Sequence, residues 1–331
     1  MPTERIALDV MGGDHAPRST LDGLLAACDP QGTSKLDPER VLLVGDQEAI
    51  GRELEARGHA GRFEIAHASQ VIGMAESPAV ALRAKPDSTI AVGVGLVRAG
   101  RAGALVSMGN TGAVVGAATL GLKTLEGVKR PAIAVTLNLT GKPVVLLDMG
   151  ANVGSKAGDL AQNALMGSVY SRDCLGIEEP RVALLNIGEE PGKGTELLKE
   201  AYPLLEAAPI HFVGNIEGHD LFGDAADVVV TDGFTGNVVL KLLESFSVFM
   251  LGLVLNELKK HQVQWAPEAL AHIKTKIDYA EYGGALLLGV RGIVVKGHGR
   301  SDASAVANAL GQAAAALDAR VNEHIVKGLE A

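Results

Sequence analysis

The sequence predicts an α/β fold: a layered α/β/α arrangement around a mostly parallel sheet, with one apolar helical excursion. Three observations predict it. Aliphatic, β-branched runs alternate with helical patterns along all 331 residues. Several runs, such as VVLLD (144–148) and RVALLNI (181–187), are apolar throughout, as strands covered on both faces are. Aromatic residues make up only 3% of the chain while glycine counts 41, which favours close helix-on-sheet packing over a β-sandwich. At 47% apolar residues the chain can bury a large core, either as one α/β domain over 1–331 or as two lobes around a cleft.

In order, strands are expected near 5–11, 41–45, 63–67, 104–108, 132–138, 143–148, 181–187, 210–214, 227–231 and 293–296, where apolar runs are short and end at turn residues. Helices are expected near 17–28, 47–57, 77–84, 88–99, 111–125, 156–174, 195–207, 235–260, 266–275 and 301–328. Pro17, Ser77–Pro78 and Ser301–Asp302 mark helix starts. The stretch 29–40, with two prolines, reads as a surface loop. The segment 237–275 reads as an apolar helical hairpin, densest from Phe246 to Leu255 and including Phe249, Met250 and Leu253. A membrane span needs ~20 consecutive apolar residues, and Lys241 and Glu244 interrupt this one. Two readings remain: a core or dimer-interface helix, or a tip dipping into a bilayer surface with Lys259 and Lys260 near anionic headgroups.

The formal charge of −9 argues against a nucleic-acid binder. Cys28 and Cys174 fall in helical stretches far apart and read as inert thiols in a reducing cytoplasm. The start MPTERIALDV lacks signal-peptide organisation. No His/Asp/Glu cluster has metal-binding spacing, and no cofactor is expected.

Eight apolar runs end in glycine beside Asn, Asp, Lys or His. Open α/β sheets bind ligands at the carboxyl ends of strands, where glycine lets backbone N–H groups approach an oxyanion. In NIGEEPGKG (186–194) three residues separate Gly188 from Gly192, so the Walker spacing fails. The loop with Gly192, Lys193 and Gly194 is either a small-phosphate cradle or a charged surface turn. In SMGNTGA, Asn110 or Thr111 can cap a helix, leaving Gly109 and Gly112 amides facing a ligand. Asp148 and Asn152 in DMGAN, Asp232 and Asn237 in DGFTGN, and Asn215 and Glu217 in GNIEG are either ligand-orienting groups or structural caps. His298, between two glycines and flanked by Lys296 and Arg300, makes a cationic loop, and Asp14–His15 are similar. The absence of G-x-S-x-G, H-E-x-x-H, C-x-x-C and strand-linked G-x-G-x-x-G patterns counts against serine-acyl, zinc and nicotinamide enzymes.

In order, ALDVMGGDHAP, SMGNTGA, LLDMGAN, GNIEG, DGFTGN, YGGALLLG (282–289) and KGHGRSD resemble the signatures of the bacterial phosphate acyltransferase family, PlsX, over residues 5 to 305. The resemblance implies transfer of a long-chain fatty acyl group from acyl carrier protein to inorganic phosphate. The acyl phosphate would then feed a membrane glycerol-3-phosphate acyltransferase. It also implies a fold like that of phosphotransacetylases and of isocitrate and isopropylmalate dehydrogenases, and a cytoplasmic homodimer in peripheral contact with the membrane. By the same resemblance Lys193 and Asn237 match positions important for activity; His298, singled out by its own cationic loop, is a further candidate catalytic group. Gly109, Asn110, Thr111, Gly112, Gly192 and Gly194 are then candidates for phosphate, and Asp14, His15, Asp148, Asn152, Asn215 and Asp232 for positioning. Lys123, Lys129, Arg130, Lys259 and Lys260 are candidates for an acidic carrier protein. The rivals are a short-chain phosphotransacetylase acting on acyl-CoA, an isopropylmalate-type dehydrogenase lacking its aspartate cluster, and a non-catalytic organiser that binds acyl carrier protein.

Overall fold

The computed structural model describes residues 4–32, 34–138, 141–260 and 283–330. The chain divides into two compact units, Met1–Pro131 with Tyr282–Ala331, and Ala132–Glu281.

The first unit is built from β1 (Ile6–Asp9), α1 (Arg18–Ala27), β2 (Val41–Gly45), α2 (Gln47–Ala56), β3 (Glu64–His67), α3 (Pro78–Ala84), α4 (Thr89–Arg98), β4 (Ala104–Ser107) and α5 (Thr111–Leu122). The second unit holds β5 (Ala132–Leu137), β6 (Val144–Leu147), α6 (Ala157–Leu175), β7 (Arg181–Leu185), α7 (Glu196–Glu206), β8 (His211–Ile216), β9 (Val228–Val230) and α8 (Gly233–Lys260). The chain then returns to the first unit with β10 (Ala285–Leu288), β11 (Ile293–Lys296), α9 (Ala303–Asp318) and α10 (Val321–Glu330).

In the first unit the strands run β3-β2-β1-β4-β11-β10, and every pairing is parallel except β10 with β11. In the second they run β5-β6-β9-β7-β8, parallel except β5 with β6. Both exceptions join neighbours through links too short for a helical crossover, so the chain must turn straight back. β1, β4, β6 and β9 are buried along their whole length, which is why their sequences carry no polar alternation. Helix packing is close: a methyl group on Gly23 of α1 would meet the Ala303 carbonyl of α9 at 2.5 Å. Gly93 meets the Leu105 side chain of β4 in the same way, and the Gly93–Gly95 segment lies in α4.

The expected elements are present within a few residues, with two differences. The YGGALLLG segment contributes a strand, β10, which its motif reading overlooked; four aliphatic residues are too short to show periodicity. The helix expected over 301–328 is two helices, broken at Arg320, whose φ is +48°. The break buries Val321 and Ile325 and lets Asn322 donate to the Val290 carbonyl at 3.0 Å. The helix expected at 266–275, and with it the second arm of the 237–275 hairpin, lies outside the described residues.

Candidate active site

In the first unit the loops after β1, β4 and β11 pack on one another through glycine. A methyl group on Gly12 would lie 2.6 Å from the Asp9 carboxylate and 2.9 Å from the Gly109 amide. Gly13, at φ +100°, faces Met108 and the Gly299 carbonyl, and that carbonyl accepts from the Asp14 amide at 2.7 Å. The Gly297 amide donates to the Ser107 carbonyl at 3.0 Å. Beneath them lies Asp9, fully buried. Ser107 Oγ donates to its Oδ2 at 2.6 Å and accepts from the Gly109 amide at 3.1 Å. Asp9 Oδ1 makes no hydrogen bond. Burial pushes the Asp9 carboxyl above the usual carboxylate range, and the Ser107 and Thr89 hydroxyls with the Met11 and Gly12 amides pull against that rise.

Asn110 caps α5: its Oδ1 accepts from the Ala113 amide at 3.1 Å. Its Nδ2 faces three carbonyls, those of Gly73, Met74 and Glu76, at 3.0–3.4 Å. The Asn110 side chain is therefore consumed by the scaffold. What the α5 start offers is backbone: the exposed Thr111 and Gly112 residues, whose amides make no hydrogen bond among the described residues. The facing 71–77 loop is held by Glu76, which accepts from the Gly73 amide and from Lys85, each at 2.6 Å. Asp14 and His15 are exposed, and the half-buried His298 accepts from the Arg300 amide through Nδ1 at 3.2 Å.

In the second unit Asp148 ends β6 and is fully buried. Its Oδ1 accepts from the Ile133, Gly150 and Ala151 amides at 2.8–3.1 Å. Its Oδ2 accepts from the backbone and side-chain nitrogens of Asn152, both at 2.9 Å. Burial raises the Asp148 pKa, and these donors hold the rise back. α8 starts against this loop. Gly236 abuts the Asp148 carbonyl and Gly233 the Asn152 carbonyl, so closely that no other residue fits. Asp232 caps α8 by accepting from the Phe234 and Thr235 amides, both at 3.0 Å. Asn237, one turn on, is exposed and lies over Gly150, about 3.3 Å from where a methyl group there would sit.

Lys193 stands on the loop between β7 and α7, its side chain 52% exposed and 3.9 Å from Glu190. Two asparagines fix that loop from below. Asn186 Nδ2 donates to the Lys193 carbonyl at 3.1 Å, and its Oδ1 accepts from the Ile187 amide at 2.8 Å. Asn215 Nδ2 donates to the Glu190 carbonyl at 2.9 Å, while its buried Oδ1 has no partner. Gly194, at φ +90°, packs directly on Asn186. Gly192 is exposed beside Lys193.

Asp148, Asn152, Asp232, Asn110 and Asn215 thus organise loops, whereas Lys193, Asn237 and the α5 amides face outward. Sequence reasoning passed over Asp9, Ser107 and Asn186. Asp9 carried a usable signal, since it ends an apolar strand just as Asp148 does. Among the described residues no group of three His, Cys, Asp or Glu gathers as metal ligands do. Both cysteines are free, and burial pushes the Cys28 thiol up to about 11 and Cys174 to about 12.

A family model described as fatty acid synthesis protein matches residues 4–324. A phosphate acyltransferase of Heliobacterium modesticaldum is 46% identical, covering 97% of this chain and 97% of the relative. One from Gloeobacter violaceus is 45% identical, covering 99% and 97%. Among solved structures, a phosphotransacetylase from Streptococcus pyogenes aligns with a TM-score of 0.61 at 17% identity, covering 95% of this chain and 94% of that one. The EutD phosphotransacetylase from Staphylococcus aureus aligns at 0.59 and 17%, covering 94% and 93%. At that identity the two share the fold.

Proposed function

The chain belongs to the phosphate acyltransferase family, and we propose that it transfers a long-chain fatty acyl group from an acyl carrier protein to inorganic phosphate. Hydrogen phosphate is anionic at neutral pH and needs no side-chain nucleophile. One of its oxygens attacks the thioester carbonyl carbon, giving a tetrahedral oxyanion. The C–S bond then breaks and its electron pair leaves on sulfur. A thiol of pKa about 8.5 departs without strong acid help. The protein's task is positioning and preorganised donors, each oxyanion donor contributing ~3–4 kcal/mol.

Roles follow from what each group has free. The Thr111 and Gly112 amides, with Gly109 behind them, hold phosphate. Lys193 neutralises phosphate or the developing oxyanion. Asn237 donates to the thioester carbonyl. His298, Asp14 and His15 are further polar groups at strand ends, and Asp148, Asn152, Asp232 and Asn215 act through the loops they fix. We also propose the sheet relation to isocitrate and isopropylmalate dehydrogenases, a homodimer, and a cytoplasmic enzyme in peripheral contact with the membrane.

The observation that favours a long-chain donor over acetyl-CoA is α8. It is long and apolar enough to cross a membrane by length and composition, yet almost none of its apolar stretch is buried. Phe246, Phe249, Met250 and Leu253 are 39–59% exposed. Lys241 pairs with Glu244 at 2.6 Å, so the interrupting charges form a local pair. A greasy product bound for a membrane glycerol-3-phosphate acyltransferase gives such a surface a use. Phe249→Glu with Leu253→Glu is expected to release the protein from phosphatidylglycerol vesicles in a flotation assay; unchanged binding removes the bilayer role. The activity test offers palmitoyl-acyl carrier protein, palmitoyl-CoA and acetyl-CoA with inorganic phosphate. Acyl phosphate from the carrier-protein donor is expected. Product from acetyl-CoA alone makes the chain a short-chain phosphotransacetylase, and product from none leaves a carrier-binding organiser.

A further inference from the structure

We propose that the carboxyl end of α5 and the segment after it form the docking surface for the acidic carrier protein that delivers the acyl chain. The proposal rests on the donor reading above and adds the footprint.

Lys123 closes α5 at φ +65° and ψ +173°. That region of backbone space is essentially reserved for glycine. The neighbours hold it there: the Arg291 amide donates to the Lys123 carbonyl at 3.0 Å, the Leu125 amide donates to the Gly289 carbonyl at 2.9 Å, and Thr124 bridges Val290. Glycine would sit at this position without strain, so a lysine there points to a use for its side chain. Lys123 is exposed and makes no ion pair among the described residues.

Its surroundings suit an acidic partner with an apolar helix face. Leu120, three residues earlier on the same side of α5, is 80% exposed. Arg291 is exposed, and its Nε donates to the Thr124 carbonyl at 3.0 Å, which fixes the guanidinium beside the turn. Lys129 and Arg130 are exposed in the same segment, where Glu126 is the one carboxylate. A cationic edge around a bare leucine is notable on a chain of net charge −9.

Distance supports the assignment. The 12 residues of α5 span about 18 Å at ~1.5 Å per residue. One end of the helix carries this surface and the other presents the Thr111 and Gly112 amides. That length matches the reach of a phosphopantetheine arm, so a carrier protein seated here can lay its thioester at the amides.

Cations at a helix end also favour the helix dipole, and the test separates that role from docking. Steady-state kinetics with palmitoyl-acyl carrier protein would compare the wild type with Lys123→Glu, Arg291→Glu and Lys123→Gly. For the two charge reversals the KM for the carrier-protein donor is expected to rise about tenfold or more and its salt dependence to flatten. The kcat and the KM for phosphate are expected to hold. Lys123→Gly is expected to raise the melting temperature by removing backbone strain and still raise that KM. A higher melting temperature with unchanged KM, or unchanged KM in both reversals, overturns the docking surface alone. A wild type that does not turn over palmitoyl-acyl carrier protein overturns the donor reading and this one with it.

Discussion

Asp9 and Asp148 occupy the same kind of place and are treated oppositely. Each ends a buried strand in its own unit, and each is fully buried. Asp148 accepts five N–H bonds and gathers the 148–152 loop around its charge. Asp9 accepts its one short side-chain bond from the Ser107 hydroxyl, draws weaker support from the Thr89 hydroxyl and the Met11 and Gly12 amides, leaves Oδ1 without a close partner, and sits under glycines packed too tightly to admit a side chain. A buried carboxylate is tolerated when hydrogen-bonded and costly when it is not. The contrast teaches that Asp148 is part of the scaffold's stability, while Asp9 is an imperfection retained beneath a loop that presents amides.

The largest expected effect tests this directly. Asp148→Ala strands five donors and is expected to cost about 3–5 kcal/mol in urea unfolding. Asp9→Asn removes a poorly solvated charge and is expected to cost less than half as much. Equal losses would break the contrast. The two asparagines under the Lys193 loop repeat it on a smaller scale. Asn186 uses both ends of its amide, whereas Asn215 leaves Oδ1 buried and unpartnered. Asn186→Ala is expected to lose about 1–3 kcal/mol and to slow turnover about tenfold by loosening Lys193. Asn215→Ala is expected to be the milder of the two, and the reverse order would contradict this account.

The smallest effect is a slope. Burial raises the Asp9 pKa in the folded state, so its contribution to stability is full below the unfolded value of about 3.9 and is lost as pH rises through the higher folded value. Unfolding free energies between pH 4 and neutrality, at roughly one-unit steps, should fall less steeply in Asp9→Asn than in the wild type. Parallel curves would place the Asp9 charge elsewhere in the balance.

The fold was legible because its determinants are local and strong: all-apolar strands, capped helices, and glycines where loops meet. β10 and the Arg320 break were not, since four residues carry no period and a left-handed arginine has no sequence mark. At the candidate site, the sequence singled out glycine-bearing loops at strand ends but could not sort the residues within them. Asn110 and Asn237 read alike as letters. Only the fold shows that Asn110 spends its side chain on a cap and three carbonyls while Asn237 stands exposed. Asn186 was hidden inside a motif whose lysine drew attention, although its amide holds that lysine's carbonyl.

The central claim is that the exposed, uncommitted side chains act on the acyl group while the buried polar ones build the loops. The direct measurement is turnover of palmitoyl-acyl carrier protein with inorganic phosphate by Lys193→Ala and by Asn237→Ala, alongside their melting temperatures. A loss of about a hundredfold or more in kcat at unchanged melting temperature is the expected result. Near-normal turnover in both variants would contradict it and return the chemistry to the backbone amides alone.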